Sequence, residues 1–450
     1  MKRRLIGVSS LFLILLLTLT GCFFRNVNDL YTVPQPSKNY EALQVCLSEV
    51  INRGGEYAAP LTGELIQSVQ LQDLDSDGKQ EAIAFFRLAE EEKPLKIYIF
   101  RQEEERYETL AVIEGAGTAI NCVDYVQLND DSVKEIAVSW QISDKLYSLA
   151  VYSIRGGEVE ELLRTDYDSY KFADLDQDSQ QELVVFRTPL GVSLQAELYD
   201  FDGGVSMTGT AGLSAGVTTV DSSSVRTGYL TNRIPALFVT SAYGESGSIT
   251  DIFACRNGQL QNITLSPETG ESSETIRFYN QVAETDINGD GIMELPQPVP
   301  LMEHKITTAS VNFWMIYWRQ FDADGNAKPV FTTYHNDRDG WYFILPDWWG
   351  NDLTLSRSDL PGGGERAVTF SYWEGDEAVS PKPFLTIYKL TGSSRMARAQ
   401  AGNRFLIFPE VSGTDTVYAA EFLEGWDCGL TEDDVRERFV RIKTDWYNGY

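Results

Sequence analysis

An acidic motif that recurs about every fifty residues most constrains what this chain of 450 residues can fold into. Three clear copies begin at Asp73, Asp174 and Asp286, and each has acidic or amide side chains at positions 1, 3, 5 and 9 of nine residues. A weaker copy begins at Gln127, and a segment beginning at Thr227 has lost the acids. The starts are 54, 47, 53 and 59 residues apart, which indicates one structural unit repeated along the chain.

A second landmark has the same period. Each acidic stretch is followed by an aromatic, strand-like segment that ends in a Gly, Asn or Asp turn, and the first three begin at Tyr98, Tyr152 and Tyr199. Their spacings of 54 and 47 equal those of the acidic motif. Because apolar runs such as Ala82–Phe86 and Leu183–Phe186 directly follow the acids, each unit predicts a strand, an acidic loop, a strand, a hairpin turn and a strand.

Short strands in units of this size cannot bury their faces alone. Small sheets arranged radially around an axis bury them and leave only short edges. We therefore expect a mainly β protein in which residues 39–335 form an N-terminal helix and a β-propeller of about five blades, with a sixth, irregular blade as the alternative. The helix is predicted over residues 40–52, where Leu43, Leu47 and Val50 have helical spacing.

The repeat disappears after about residue 336, where a different pattern begins. Strand-like runs are followed by a capping box at Thr431 and Asp434, which predicts a terminal helix. Residues 336–450 are therefore expected to form a small α+β C-terminal domain. The predicted strands lie at residues 367–373, 384–390, 405–408 and 417–422, and the helix residues expected on one face are Val435, Phe439 and Ile442.

The N-terminus carries an export pattern. A positive stretch, Lys2–Arg4, precedes an apolar run that is short for a membrane span but suits a signal peptide. The run ends in Leu19-Thr20-Gly21-Cys22, which resembles a bacterial lipobox. The resemblance implies a signal peptide over residues 1–21, a lipid on Cys22 and a lipidated linker over residues 22–38. We expect an extracytoplasmic protein anchored to the bacterial cell membrane; an uncleaved anchor or an ordinary secretory signal is the alternative.

Charge and residue usage disfavour several classes of function. The chain has 66 acids and 37 bases, a formal net charge of -29, which disfavours nucleic-acid binding and favours cations as small partners. Two histidines, His304 and His335, leave little room for zinc–imidazole chemistry or a His-based triad. The cysteines beyond Cys22 form no Cys-x-x-Cys pair, so we expect buried free thiols.

The motif Asp-x-Asp-x-Asp-Gly-x-x-Glu before an apolar strand resembles the FG-GAP or VCBS repeats of bacterial surface proteins and of integrin alpha-subunit propellers. The resemblance covers roughly residues 60–335, as expected for a repeat array. It implies calcium in the acidic loops and a propeller that serves as a recognition or adhesion platform. The phenylalanine-glycine and glycine-alanine-proline signatures of the integrin version are not evident, so calcium is implied for particular loops only.

The acidic loops suit calcium because this hard cation takes six to eight oxygen ligands. Acids at positions 1, 3, 5 and 9 supply carboxylates and position 7 supplies a carbonyl, while Gly78 permits the tight turn at position 6. A solvated acidic turn is the alternative, and the loop from Gln127 to Glu135 suits calcium less because it has fewer acids and no glycine. The predicted ligands are Asp73, Asp75, Asp77, Lys79 and Glu81; Asp174, Asp176, Asp178 and Glu182; and Asp286, Asn288, Asp290 and Glu294.

These features favour a non-catalytic lipoprotein whose calcium-stabilised propeller serves binding, adhesion or envelope assembly. Its expected partners are the membrane, through the lipid anchor, and a protein or glycan of the cell envelope. The alternative is a polysaccharide-active glycoside hydrolase or a carbohydrate-binding protein built on a propeller. Four tryptophans form either an aromatic platform for sugar rings or part of the core: Trp341, Trp348, Trp349 and Trp373.

Overall fold

The computed structural model describes residues 38–104, 106–129, 132–279, 282–301, 313–360, 363–408 and 415–442. The predicted signal peptide, Cys22 and all of the linker except Lys38 lie outside the described residues, as do Asp131 and His304. The described residues are mainly β, in several antiparallel sheets. Among them, no helix has the length and apolar character needed to cross a membrane.

The described secondary structure comprises three α-helices, 27 strands and five 3-10 helices of three residues each. The helices are α1 (Lys38–Asn52), α2 (Arg395–Ala399) and α3 (Glu432–Arg438). The strands of the first four sheets are β1 (Glu56–Tyr57), β2 (Val69–Gln72), β3 (Glu81–Arg87), β4 (Leu95–Glu103), β5 (Arg106–Gly115), β6 (Ala119–Val126), β7 (Glu135–Ser143), β8 (Leu146–Arg155), β9 (Glu158–Tyr167), β10 (Ser169–Ala173), β11 (Glu182–Arg187), β12 (Gln195–Asp200), β13 (Ser206–Gly212), β14 (Val225–Tyr229), β15 (Pro235–Tyr243), β16 (Gly247–Arg256) and β17 (Gln259–Asn262). The remaining strands are β18 (Leu295–Pro300), β19 (Trp314–Phe321), β20 (Ala327–Asn336), β21 (Trp341–Leu345), β22 (Leu353–Leu360), β23 (Glu365–Tyr372), β24 (Lys382–Thr391), β25 (Phe405–Leu406), β26 (Thr416–Phe422) and β27 (Phe439–Arg441).

The chain divides into two compact units, residues 1–122 with 154–159 and residues 123–153 with 160–450. In the first unit, β1, β3, β4 and β5 form a sheet in that order, and β2 also pairs with β3. The helix predicted over residues 40–52 is confirmed as α1. Its buried Leu43, Leu47 and Val50 share an apolar cluster with Phe86 and Phe100 of the sheet.

Three four-stranded sheets follow in chain order: β6-β7-β8-β9, β10-β11-β12-β13 and β14-β15-β16-β17. Their second strands contain the apolar runs noted in the sequence, and these runs are buried on both faces. In the second unit, apolar clusters join successive sheets. One contains Ala137 and Val185, another Phe186 and Phe253, and a third Phe238 and Leu295. Each of these sheets is therefore covered by its neighbour in the chain.

The last two sheets have the orders β18-β19-β20-β21-β27 and β22-β23-β24-β26-β25. The domain boundary predicted at residue 336 falls inside the first of them, because β21 pairs with β20 and Asn336 lies opposite Trp341. One apolar cluster contains Tyr334, Phe343 and Phe370, and so it includes residues from both sheets. The change of pattern after residue 336 thus marks the fourth strand of a sheet rather than the start of a separate core.

The predicted terminal helix is shorter than expected. The capping box at Thr431 and Asp434 is confirmed, but α3 ends at Arg438. Phe439 has extended backbone dihedrals and begins β27, which pairs with β21. The prediction that Phe439 and Ile442 lie on a helical face is therefore wrong, because sheet hydrogen bonds take over the backbone there. Phe439 is still buried, stacked on Trp341.

We expect Phe370→Ala to lower the free energy of unfolding by about 3–5 kcal/mol, because it leaves a cavity among Phe343, Trp349 and Phe384. Val379→Ala, at an exposed site, serves as the control and is expected to change it by about 0.5 kcal/mol or less. Urea unfolding followed by tryptophan fluorescence measures both. Equal changes in the two variants would contradict this packing.

Candidate metal centres at the repeated corners

The acidic motifs occupy equivalent places in the structure. Residues 73–80 connect β2 to β3, and residues 174–181 connect β10 to β11. Residues 286–293 connect Thr285 to Glu294, which pair in an isolated bridge, and β18 begins at the next residue. Each motif is thus a corner that leads into the strand after it. With the short Thr285 bridge counted as the first strand of the fifth unit, this strand is the second of its unit and the next one is the third. We call these segments, each with its closing glutamate, the first corner (73–81), the third corner (174–182) and the fifth corner (286–294).

The three corners share one hydrogen-bonding pattern. The backbone N–H of position 6 donates to the Oδ2 atom of the position 1 aspartate, at distances of 3.1, 3.2 and 2.8 Å in the three corners. The N–H of position 7 donates to the Oδ1 atom of the position 5 aspartate, at 2.7, 2.8 and 2.8 Å. The aspartates therefore shape the loop and also turn their oxygens toward its interior.

Two positions in each corner have positive φ. Position 6 was predicted to need glycine, and Gly78 and Gly291 have φ of 85° and 84° there, whereas Ser179 adopts 77°. A left-handed serine costs on the order of 1 kcal/mol. Position 4 is also left-handed, with φ of 56° at Ser76 and 69° at Gln177. Only the fifth corner has a glycine at this position, Gly289 with φ of 76°, so the repeated motif did not predict a second left-handed residue.

The closing glutamate at position 9 is the first residue of the second strand or directly precedes it, and it is buried in all three corners. One of its carboxylate oxygens accepts the backbone N–H of position 2. The donor residues are Leu74, Leu175 and Ile287, at 3.0, 2.7 and 2.9 Å. The weaker copy keeps this bond, since Glu135 accepts the N–H of Leu128 at 3.2 Å. The glutamate therefore ties the beginning of the corner to its end.

Burial also changes the acidity of these glutamates. Desolvation, together with the neighbouring carboxylates of Asp176, Asp178 and Asp174, raises the pKa of Glu182 to about 7. Desolvation likewise raises the pKa of Glu294 to about 6, and it raises that of Glu81. The charged form is thus disfavoured in the absence of a cation, so a cation bound among these oxygens would stabilise it.

The predicted ligands come together in sets of three or four acids. In each set one carboxylate oxygen per residue lies within 4.8 Å of the others. Hard oxygen donors at this spacing fit a divalent cation, whose full shell would also need carbonyl or water oxygens. Asp77 shapes the first corner but is outside its set of acids. The amide oxygen of Asn288 accepts the N–H of Asp290 in the fifth corner, and Lys79 lies at position 7 as predicted. The sets are Asp73, Asp75 and Glu81; Asp174, Asp176, Asp178 and Glu182; and Asp286, Asp290 and Glu294.

Side chains from the third strands also reach the corners. Arg101 of β4 contacts Asp75 and Glu81, with N–O distances of 2.6 and 3.4 Å. Gln320 of β19 donates to Asp290 and Glu294 at 2.8 and 2.7 Å. Sequence reasoning missed both residues, because their contacts depend on strand register and lie 20 or more positions away in the chain.

Hydrogen bonds also link the described residues of the two weaker corners. In the corner between β6 and β7, the amide of Asn129 donates to Glu135 at 2.8 Å. In the corner between β14 and β15, the N–H of Leu230 donates to the carbonyl of Ile234 at 2.8 Å. In both corners the donor of this hydrogen bond is a neutral group.

Of the two alternatives for the four tryptophans, the core is confirmed for three of them. Trp341, Trp349 and Trp373 are buried, so they offer no face to a ligand. Trp348 is 59% exposed, and the Arg438 guanidinium lies 5.4 Å from the centre of its ring. Alternating aromatics near a strand indicate core as readily as a surface, and the structure shows that most of them are core.

Comparisons with known proteins show no family. No protein-family model matches the chain, and no curated protein matches it. Similar solved structures include an exotype rhamnogalacturonan lyase YesX (13% identity, TM-score 0.29, covering 68% of this chain and 60% of that one). A second is the rhamnogalacturonan lyase YesW (13% identity, TM-score 0.32, covering 71% of this chain and 61% of that one). A third is TolB from Acinetobacter baumannii (12% identity, TM-score 0.23, covering 65% of this chain and 61% of that one). The matches span about three fifths of each of these structures, and TM-scores this low carry no argument about fold or function.

In metal-free protein, we expect the free energy of unfolding to fall as pH rises from 5 to 8. The folded-state pKa of Glu182, about 7, lies above its ordinary value of 4.5, so its contribution is present at low pH and is lost as pH rises through 7. The shift corresponds to about 3 kcal/mol. Glu182→Gln, which keeps an acceptor for Leu175, should flatten this dependence; urea unfolding in chelator measures it. Equal pH dependence in the two proteins would contradict the assignment.

Proposed function

We propose that this protein is a membrane-anchored extracytoplasmic lipoprotein whose calcium-stabilised β-propeller serves as a non-catalytic binding module of the cell envelope. The observation that carries the proposal is the identical hydrogen-bonded corner around a buried glutamate, repeated at the first, third and fifth corners. The anchor rests on the lipobox-like segment that ends at Cys22.

Hydrogen bonds between successive corners of the second unit support a radial arrangement of its sheets. The N–H of Gln181 donates to the carbonyl of Gln127 at 3.1 Å. The amide of Gln177 donates to the carbonyl of Arg233 at 3.0 Å, and the Arg233 guanidinium donates to the carbonyl of Asp290 at 3.2 Å. Four successive corners are therefore linked in chain order. Together with the apolar clusters between successive sheets, this is the packing that propeller blades require.

Calcium accounts for the clustered acids of the corners. Carboxylates within a few ångströms of one another repel, and the buried glutamate adds a desolvation cost. A divalent cation offsets both the repulsion between the carboxylates and the desolvation cost of the glutamate. The ligands are close in sequence, but their oxygens converge only when the corner is folded. Binding of the cation therefore stabilises the folded state. The ions then hold the corners of the binding module and have no catalytic role.

The buried acids away from the corners support a non-catalytic function. Hydrogen bonds from Arg187, Gln195 and Tyr199 hold the pKa of Glu197 below its usual range, although burial alone would raise it. Glu284 has Arg226 on one carboxylate oxygen and Arg277 on the other. Carboxylates with donors on both oxygens are suited to structural roles rather than to proton transfer.

Calcium is expected to raise the free energy of unfolding, by about 2.7 kcal/mol per site at a hundredfold excess over Kd. Thermal unfolding with and without calcium measures this effect, and excess chelator should reverse it. Asp176→Asn combined with Asp290→Asn is expected to remove most of the response. Asp322→Asn, in the hairpin turn between β19 and β20, is the matched control and should keep it. A response that survives the double substitution would contradict calcium at these corners.

The anchor is tested by Cys22→Ser in the native host. The wild-type protein is expected in the membrane fraction, released only by detergent, because its lipid buries in the bilayer. The Cys22→Ser variant should lose the lipid label from fed palmitate. Unchanged labelling would contradict lipidation at Cys22.

The binding role is tested by capture from the native envelope with lipidated protein, with calcium or with chelator. A partner retained only with calcium supports the proposal. Hydrolysis of any member of a broad glycan panel would instead favour the glycosidase alternative.

A further inference from the structure

One register position of the third strand faces the closing glutamate in the four corners that have one. Registered pairs at the start of the second strands are Ala82 with Phe100, Ile136 with Tyr152, Leu183 with Tyr199, and Leu295 with Arg319. In antiparallel strands the next residue on each side is also opposite. The residues opposite Glu81, Glu135, Glu182 and Glu294 are therefore Arg101, Ser153, Asp200 and Gln320.

At the first corner this position carries a positive charge. The Arg101 guanidinium lies 2.6 Å from Asp75 and 3.4 Å from Glu81, so it contacts two of the three acids in that set. Its side chain is 32% exposed, whereas the glutamate is buried. A divalent cation bound there would have to displace an ion pair and sit beside a second positive charge.

At the third corner the same position carries another acid. Asp200 is among the charges that raise the pKa of Asp176, after burial and the nearer carboxylates. Among the described residues, no lysine or arginine lies within ion-pair distance of the four acids of this corner. This corner thus has the largest uncompensated negative charge of the three.

At the fifth corner the position is neutral. Gln320 donates one amide group to Asp290 and Glu294, and it brings no charge. Its side chain can rotate to offer its carbonyl oxygen, which arginine lacks. The three corners therefore differ at this position by charge: positive, negative and neutral.

We propose that the third-strand residue opposite the closing glutamate selects which corners take a calcium ion: Arg101 takes the place of the ion in the first corner, whereas the corners closed by Glu182 and Glu294 bind one each. This inference rests on the proposed function and refines it. It reverses the expectation from the motif alone, since the first corner has the most complete set of acids with glycine at position 6.

Arg101→Gln tests the proposal because it gives the first corner the residue found at the fifth. Calcium bound per full-length chain is counted by equilibrium dialysis and isothermal titration calorimetry. We expect two ions in the wild type and three in Arg101→Gln. Arg106→Gln, on the exposed start of β5, is the control and should leave the count at two.

The reciprocal variant, Gln320→Arg, is expected to lose one ion, and it tests the proposal if Arg101→Gln fails to fold. An unchanged count in either folded variant, or three ions in the wild type, would overturn the inference. The number of ions bound by the wild type tests the proposed function separately, because a wild type without bound calcium would refute calcium stabilisation. The difference in ion number between the wild type and Arg101→Gln tests the role of the selecting residue.

Discussion

The buried carboxylate that closes each corner is the interaction on which the repeated architecture depends. Glu81, Glu135, Glu182 and Glu294 all accept the N–H of position 2 and so join the two ends of the corner. A carboxylate held out of water is costly unless donors or a cation compensate it. This explains why the copy at Gln127 keeps its glutamate after losing an acid at its head: the glutamate serves the turn whether or not an ion is present.

The corners compensate that buried charge in different ways. Arg101 supplies an ion pair at the first corner, and Asn129 supplies an amide at the weaker one. At the third corner the donors to the carboxylates are backbone N–H groups and the Gln180 amide, which bring no charge. On the proposed function, calcium completes the balance where the protein does not. The repeated unit therefore retains one backbone geometry while the means of neutralisation varies from copy to copy.

Much of the local structure could be predicted from the sequence because its determinants are local. The acids of each corner bond to N–H groups two to seven positions away, so the motif itself predicts the turn. Cross-strand partners could not be predicted, because Arg101 and Gln320 reach their corners only through register. The boundary at residue 336 was misplaced for the same reason, since β21 completes a sheet without the acidic motif. Phe439 shows that amphipathic spacing does not distinguish a helix from the strand that follows it.

Anomalous scattering from crystals grown with calcium tests the central claim most directly. Peaks are expected among the carboxylates of Asp174, Asp176 and Glu182 and among those of Asp286 and Glu294, with none between Asp73 and Arg101. An anomalous map with no peak at either of the first two positions would contradict the account.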